Sequence, residues 1–274
     1  MKNVKIIRIP VATPTLWPNT ETNCYLIGSE HESLLIDAGY DTEETKDKIE
    51  QAVEKHEVQP PESILLTHSH PDHAPGVRQL RDLSPTVYCH QAEYDPIADS
   101  ISPVKDIKTL NDGDILTINQ TKMEVIHGPG HTAGQLNLYI PSEKMLLAGD
   151  NVVSEGTTWI GPPDGDMSDY LNTLHRLKKL DIDKIGPGHG EWVVNPKEKL
   201  EFIIARRLKR EQQIKDLLNE YEQLSASELT QYIYKDQIHP SVFDVAKRTI
   251  EAHLNKLIKE GQVKQQNNSY TTSI

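Results

Sequence analysis

The chain has 274 residues and a formal net charge of −12, with 36 % hydrophobic and 26 % charged residues. This composition is typical of a globular protein with a hydrophobic core, and the length allows one large domain or a large and a small one. The net charge argues against general binding to nucleic acids. No apolar run of about 18 residues is present, which argues against a membrane span.

The charge is distributed unevenly along the chain. Residues 197–274 carry 13 basic and 11 acidic side chains, a net charge of +2, whereas residues 1–196 carry a net charge of −14. The first eight residues contain no long apolar stretch, so we expect no signal peptide and a cytoplasmic location. Cys24 and Cys89 have no metal-binding spacing and are too few for a disulfide framework, so we expect two buried, reduced thiols.

The first part of the chain predicts strands joined by polar turns and interleaved with helices. Apolar runs and alternating apolar residues predict, in order, strands over residues 4–9, 24–28 and 33–39, a helix over 41–57, a strand over 64–66, a short helix over 76–82 and a strand over 86–89. We expect residues 91–108 to be irregular, because Pro96 and Pro103 interrupt them.

One polar stretch, Thr67-His68-Ser69-His70-Pro71-Asp72-His73, follows directly after the apolar residues 64–66. The apolar run predicts a buried strand whose end carries this stretch. His68 and His70 are two residues apart, and side chains at this spacing point to the same side of an extended chain. Imidazole and carboxylate groups bind Zn²⁺ and related ions, so the stretch predicts a metal site that can hold more than one ion.

The middle of the chain continues with strands that end on polar residues. Strands are predicted over 114–118, 123–126, 136–140 and 144–150, and a helix over about 168–180. Tight glycine turns present His131 and His189, and Asp150 ends the last of these strands. Alone, each of these three would more often be a core or surface residue, but rigid scaffolds present functional sites at such turns and strand ends. Strands interleaved with helices predict an α/β or α+β sandwich.

Beyond residue 196 the pattern becomes mainly helical. A long helix is predicted over 199–221, with the basic run Arg206-Arg207-Leu208-Lys209-Arg210 in its middle. A capping box at 225–228, a helix over 242–259 and a hairpin over 263–272 follow. Helices followed by a hairpin predict a winged helix-turn-helix. We therefore predict a domain over residues 1–196, a connecting helix over 197–222 and a winged-helix domain over 223–274.

Four motifs in this order resemble those of the metallo-β-lactamase superfamily: Thr-His-Ser-His-Pro-Asp-His at 67–73, Gly-Pro-Gly-His-Thr at 128–132, Leu-Ala-Gly-Asp at 147–150 and Pro-Gly-His-Gly at 187–190. Leu-Ile-Asp-Ala-Gly at 35–39 matches as well. The resemblance implies an α+β fold, a four-layer αββα sandwich with the site along one edge of its two sheets. It also implies two metal ions, the first held by His68, His70 and His131, the second by Asp72, His73 and His189, and both by Asp150. Asp37 would be a buried residue that orients the ligand loop.

The resemblance implies a metal-dependent hydrolase. Two divalent ions about 3.5–4 Å apart can share a hydroxide and stabilise both the attacking and the leaving oxygen. Asp72 is, in addition, a candidate acceptor for the proton of the attacking water. Zn²⁺ is the expected metal, and Mn²⁺ and Fe²⁺ accept the same ligands. The β-lactamases of the superfamily place a cysteine at the second metal, and neither cysteine here lies in a motif, so we do not expect a β-lactamase.

A narrower resemblance, over nearly the whole chain, is to the branch named β-lactamase-like protein 2, which joins the sandwich to a C-terminal winged helix. The residues that carry it are Arg210-Glu211-Gln212-Gln213 and Ala74-Pro75-Gly76. The branch often has a histidine where this chain has Arg206, and it shares the arginine that follows, Arg207. Because its eukaryotic member is regarded as a single-strand endoribonuclease, hydrolysis of single-stranded RNA is the leading specific expectation.

Three functions remain open at this point. An endoribonuclease or phosphodiesterase would use Arg206 and Arg207 as RNA contacts. A hydrolase of a small-molecule thioester, ester or lactone would use Trp159 and the loop around Trp17 as pocket walls. A non-enzymatic winged-helix binding protein with a structural metal is disfavoured, because seven ligands exceed the four that close a structural zinc site. The winged helix is expected to bind nucleic acid, to pack against the site or to form a homodimer.

Overall fold

The structure is a computed structural model that describes residues 4–14 and 20–273, and the predicted pocket residue Trp17 lies outside the described residues. Contacts divide the chain into two compact units. The first comprises residues 1–128, 134–157 and 180–196, and the second comprises residues 129–133, 158–179 and 197–274. The second unit therefore combines the C-terminal part of the chain with two internal segments.

The first unit begins with a six-stranded sheet. Its strands lie in chain order and are β1 (Lys5–Ala12), β2 (Glu21–Gly28), β3 (Ser33–Ile36), β4 (Ser63–Leu65), β5 (Thr86–His90) and β6 (Ile107–Leu110). β1 to β3 pair antiparallel and β3 to β6 pair parallel. Parallel neighbours need crossover connections, which include α1 (Glu43–His56), a 3₁₀ helix (Pro75–Leu83) and α2 (Tyr94–Ile101). Because β3 and β4 are parallel, the residues that follow them emerge at the same sheet edge.

A five-stranded sheet completes the strands of the first unit. It contains β7 (Ile115–Ile118), β8 (Thr121–His127), β9 (Leu136–Ile140), β10 (Met145–Gly149) and β11 (Lys184–Pro187), with β11 beside β10. β10 and β11 are parallel, and Gly188 N donates to Gly149 O at 2.8 Å. The residues that follow these two strands, Asp150 and His189, are therefore brought to one edge.

The two sheets pack face to face through one hydrophobic core. Tyr25 and Ile36 of the first sheet share a buried cluster with Val125, Leu138 and Leu147 of the second. Side chains that alternate with these point to the opposite face of the first sheet. There Leu26, Leu35 and Ile64 are buried with Ile49 of α1 and Ile97 of α2. The alternation of apolar residues along each strand thus produces a helix layer, a sheet and a second sheet.

The second unit contains the C-terminal winged helix. Its helices are α3 (Met167–Leu177), α4 (Pro196–Tyr221), α5 (Ala226–Tyr234) and α6 (Phe243–Lys259), and β12 (Leu224–Ser225), β13 (Val263–Gln266) and β14 (Ser269–Thr272) form a small sheet. Ser225 and Glu228 cap α5 in the predicted capping box. Ile214 and Leu218 of α4 belong to the same buried cluster as Leu229 and Leu254, so the end of α4 is part of the winged-helix core.

The prediction of an irregular segment over residues 91–108 was wrong. The segment contains α2 and β6. Pro96 is the third residue of α2, where the backbone N–H would have no partner within the helix, so proline is tolerated there. Among the described residues, none of the helices is both long and apolar enough to span a membrane.

Candidate metal centre

Asp37 fixes the stretch that follows β4. Its side chain is buried, and its carboxylate accepts hydrogen bonds from Thr67 N at 2.7 Å and Thr67 Oγ1 at 2.8 Å. The same carboxylate lies 2.8 Å from Nδ1 of His73. One buried group therefore holds both ends of the stretch Thr67–His73. This geometry agrees with the orienting role that the resemblance implies for Asp37, and carboxylate partners of this kind orient metal-binding imidazoles.

Four histidines of the predicted ligand set have Nδ1 beside an oxygen atom. The partners are Thr67 Oγ1 for His68 at 3.0 Å, Asp37 Oδ2 for His73 at 2.8 Å, Trp159 O for His131 at 3.0 Å and Glu21 O for His189 at 2.8 Å. Thr67 Oγ1 already donates to Asp37, so it accepts from His68. A histidine that donates through Nδ1 leaves the lone pair of Nε2 for a metal ion. The hydrogen bonds thus favour the tautomer that a metal site needs.

Two carboxylates and two of these imidazoles face one another in the first unit. His73 Nε2 lies 3.6 Å from Asp72 Oδ2 and 3.4 Å from Asp150 Oδ1. His189 Nε2 lies 3.4 Å from Asp72 Oδ2 and 3.4 Å from Asp150 Oδ2. Two ligand atoms bound about 2.1 Å from one tetrahedral ion lie roughly 3.4 Å apart. Asp72, His73 and His189 are therefore spaced as ligands of one ion, and Asp150 approaches the two histidines through different oxygens.

The donor set and its surroundings fit a divalent cation. Asp72, His73 and His189 place one ligand atom each within 4.8 Å of one another, and so do His68, His73 and Asp150. The rings of His68 and His70 meet edge to face, with centroids 4.6 Å apart. A Cβ on Gly188 would lie 2.0 Å from Asp150 Oδ1, so only glycine leaves room for that carboxylate. The buried nitrogen and oxygen donors are of the types that Zn²⁺, Mn²⁺ and Fe²⁺ accept.

The electrostatics of this cluster favour positive charge. Burial alone would lower the pKa of His73, but Asp72, Asp37 and Asp150 raise it well above its ordinary value. Burial also opposes the rise in the pKa of His189 that Asp150 causes. Burial would raise the pKa of Asp150, yet His189 and His73 hold it well below the usual range. Asp150 therefore stays ionised and attracts either protons on the imidazoles or a metal ion.

His131 lies in the short segment 129–133 that belongs to the second unit. The flanks of this segment belong to the first unit, where Gly128 N donates to Gln135 O at 2.8 Å and closes the loop. Leu136 N then donates to Thr67 O at 2.9 Å, directly before His68. Within the first unit, the backbone that follows the His131 loop is thus hydrogen-bonded to the strand end that carries His68.

Sequence reasoning missed two residues that hold the site. Glu93 is buried, and it accepts hydrogen bonds from Ser69 N at 3.1 Å and from Gly134 N at 2.8 Å. Asn23 Nδ2 donates to Pro187 O at 2.9 Å and to Gly190 O at 2.7 Å, on either side of His189. Neither residue lies in a motif, and their partners are distant in sequence, so no local signal in one sequence reveals them.

Two of the predicted substrate-binding residues, Arg207 and Trp159, make hydrogen bonds within the second unit. The Arg207 side chain is buried and its guanidinium donates to Thr158 O, so its role as a substrate contact stays a prediction. Arg207 belongs to the basic run of α4, but its side chain is buried whereas that of Arg206 is exposed. Trp159 is half-buried and makes the contact with His131 described above, and Arg206 is exposed.

Comparison with known families identifies the superfamily of the chain and its C-terminal domain. The family model of the metallo-β-lactamase superfamily matches residues 17–189. The chain belongs to this superfamily. A second family model, the β-lactamase-associated winged-helix domain, matches residues 225–270. The predicted α+β metallo-β-lactamase fold with a C-terminal winged helix is confirmed, and the protein is a metal-dependent hydrolase.

Several known proteins are similar over most of the chain. A β-lactamase-like protein 2 homolog from Caenorhabditis elegans is 29 % identical over 247 residues, which cover 88 % of this chain and 80 % of the relative. An atrochrysone carboxyl ACP thioesterase from Emericella nidulans is 26 % identical over 249 residues, covering 88 % and 76 %. A solved metallo-β-lactamase family protein from Thermus thermophilus has a TM-score of 0.83 at 23 % identity, covering 98 % of both chains. The structure of TTHA1623 in a di-iron-bound form has a TM-score of 0.56 at 26 % identity, covering 69 % and 96 %.

Proposed function

We propose that the protein is a binuclear hydrolase. His68, His70 and His131 would hold the first ion, Asp72, His73 and His189 would hold the second, and Asp150 would serve both. The observation that carries this proposal is the position of Asp150. Its Oδ1 and Oδ2 lie 3.4 Å from the ring nitrogens of His73 and His189, and one of its oxygens lies within 4.8 Å of the ring nitrogens of His68 and His73.

Zn²⁺ is the metal that we propose for both positions. Nitrogen ligands outnumber oxygen ligands in the set, and imidazole suits zinc well. Imidazole and carboxylate also accept Fe²⁺ and Mn²⁺, and the similar protein TTHA1623 was solved in a di-iron-bound form. Metal analysis of the purified protein would distinguish these ions.

Bound ions of this kind would lower the pKa of water to near neutrality and polarise the group that is attacked. The residues of this chain supply the remaining functions. Asp72 accepts a hydrogen bond from Thr22 Oγ1 at 3.1 Å through Oδ2, which orients the carboxylate. Oδ1 of Asp72 would accept the proton of the attacking water. Asp37 keeps His73 in the tautomer whose Nε2 faces the site.

The substrate class that we propose is an acyl thioester. Several relatives are named atrochrysone carboxyl ACP thioesterase. The net charge of −12 disfavours a polyanionic substrate, whereas a thioester needs only the metal-activated nucleophile and room for an acyl chain. The cytoplasmic location remains a prediction.

Salt bridges in the second unit argue against the alternative in which the winged helix binds nucleic acid. Lys256 of α6 lies 2.8 Å from Glu211 and 2.9 Å from Glu260, and Lys259 is paired with Asp166. These basic side chains are therefore neutralised within their own unit. Exposed Arg206 favours single-stranded RNA as a second candidate substrate, together with the similarity to β-lactamase-like protein 2 homologs.

The proposal is tested with the metal-loaded protein on a panel of acyl thioesters of a pantetheine-type thiol and on a single-stranded RNA oligonucleotide. We expect thioester hydrolysis that EDTA abolishes and added metal restores. Asp150→Asn should reduce the rate at least 100-fold, and the surface variant Asp41→Asn should not. Inactivity on every thioester would overturn the proposed substrate class, and RNA cleavage by the same preparation would then support the second candidate.

A further inference from the structure

The ligand His131 donates a hydrogen bond through Nδ1 to a residue outside the motifs. Its Nδ1 lies 3.0 Å from the backbone carbonyl oxygen of Trp159. The other three partners in the set are a threonine, an aspartate and the carbonyl of a strand residue in the large sheet. Trp159 instead lies in a loop of the second unit that is assigned to neither a helix nor a strand. The position of this carbonyl therefore depends on what holds the loop.

The indole of Trp159 is held by α6 of the winged helix. Its Nε1 donates to Val245 O at 3.1 Å. A Cβ added to Gly161 would lie 2.6 Å from the indole ring and 3.0 Å from Cβ of Arg248. Since real Cβ atoms do not approach other atoms so closely, the ring, Gly161 and α6 are packed without room for a methyl group.

The same helix and its neighbours hold the surrounding backbone. Buried Arg207 of α4 donates to the carbonyl of Thr158, which directly precedes Trp159. On the other side, Asp166 N donates to Gly130 O at 2.9 Å, directly before His131. Asp166 is in turn paired with Lys259 at the end of α6. Both loops, the one with Trp159 and the one with His131, thus depend on contacts with α4 and α6.

We propose that Trp159 is a positioning residue through which the winged helix orients His131 for the first metal ion. This inference rests on the proposed function, because it takes His131 as a ligand. The hydrogen bond to Val245 O holds the indole of Trp159 against α6. The carbonyl of the same residue then sets the ring orientation and the tautomer of His131. Trp159 then acts on the ion through His131 rather than by touching substrate.

The proposal predicts a selective loss of one metal ion. When the carbonyl moves, Nδ1 of His131 loses its acceptor, and the partners of metal-binding histidines typically contribute 10–100-fold to metal affinity. Trp159→Phe removes the Nε1 donor, and Gly161→Ala pushes the ring away from α6. Each should weaken the affinity for one of the two ions about 10-fold and leave the affinity for the other unchanged.

The test is a titration of the full-length apo-protein with Co²⁺ against a competing chromophoric chelator, recorded together with the visible d–d spectrum. Gly113→Ala is the matched control. Gly113 has φ +83° and no neighbouring atom within 4 Å of an added Cβ, so the variant carries backbone strain without touching Trp159. We expect the wild type and Gly113→Ala to bind two ions with the same spectrum, and Trp159→Phe and Gly161→Ala to show an altered band for the weakened site.

The outcomes separate this inference from the proposed function. If the wild-type protein does not bind two ions, the proposed function fails. If the wild type binds two ions while Trp159→Phe and Gly161→Ala keep both affinities and the spectrum, the positioning role is overturned. A reduced thermal stability with unchanged metal binding would likewise contradict it, because Trp159 would then serve packing only.

Discussion

Replacing Asp37 by asparagine tests whether a single buried carboxylate organises the metal-binding stretch. The substitution keeps the shape of the side chain and removes its charge. Asp37 accepts three hydrogen bonds, from Thr67 N, Thr67 Oγ1 and His73 Nδ1, all between 2.7 and 2.8 Å. An asparagine offers one oxygen in place of two, so its amide nitrogen must face either Thr67 N or His73 Nδ1.

Both orientations of the amide are unfavourable. An amide nitrogen that faces Thr67 N places two donors together in a buried site, whereas one that faces His73 forces the tautomer that protonates Nε2. Hydrogen bonds to a charged group contribute about 1.5–3 kcal/mol each. We therefore expect Asp37→Asn to lower the free energy of unfolding of the metal-free protein by about 2–3 kcal/mol. The metal affinity should fall 10–100-fold.

Urea unfolding in excess chelator measures the first quantity, and competition with a chromophoric chelator measures the second. Asp41→Asn is the control, because Asp41 contacts Arg78 and Gln79 at the surface. Exposed pairs of this kind contribute about 0–1 kcal/mol, so the control should keep its metal affinity. An Asp37→Asn protein that binds metal as tightly as the wild type would refute the reasoning.

Three further results are expected. Burial, with Arg207, Arg210 and Lys256, lowers the pKa of His253 to about 3. His253 is therefore neutral in the folded chain but protonated in the unfolded chain below pH 6.5, so its presence should cost about 2 kcal/mol of stability on going from pH 7.5 to pH 5. His253→Leu should lose that part of the pH dependence in urea unfolding of the metal-free protein, and an unchanged slope would contradict this. Glu93→Gln removes one of two acceptors for backbone N–H groups of the metal-binding loops and should weaken metal binding at least 10-fold in chelator competition, whereas Glu143→Gln at the surface should not. Removing the metal with EDTA should lower the unfolding free energy by about 4 kcal/mol for each bound ion, relative to protein in metal at 1,000 times the Kd of that site; equal melting curves would contradict metal binding to the folded state.

The parts of the fold that follow from local patterns could be predicted from the sequence. Alternating apolar residues predicted most of the strands, and the capping box at Ser225 marked the start of α5. The segment around Pro96 was predicted incorrectly, because proline was taken as a breaker although it lies in the first turn of α2. Whether a proline begins or ends a helix depends on the residues that pack behind it, and these include Ile97 and Ile101 in the buried core.

The same distinction holds for the site. The motif resemblance predicted His73, Asp150 and His189 as members of one cluster, and the structure places their ligand atoms close together. Glu93 could not be predicted, because it lies in no motif and its hydrogen-bond partners, Ser69 N and Gly134 N, are distant in sequence. Arg207 was predicted as a substrate contact because its neighbours are basic. Its burial against the carbonyl of Thr158 depends on a loop 49 residues away in sequence.

The central claim is that Asp150 is shared by two metal ions. The most direct measurement is the metal content of the purified protein after dialysis, determined together with the protein concentration for the wild type and for Asp150→Asn. Two ions per wild-type chain, with loss of one or both in the variant, is the result that the geometry of Asp150, His73 and His189 predicts. One ion or none in the fully loaded wild-type protein, or an unchanged content in Asp150→Asn, would contradict the claim.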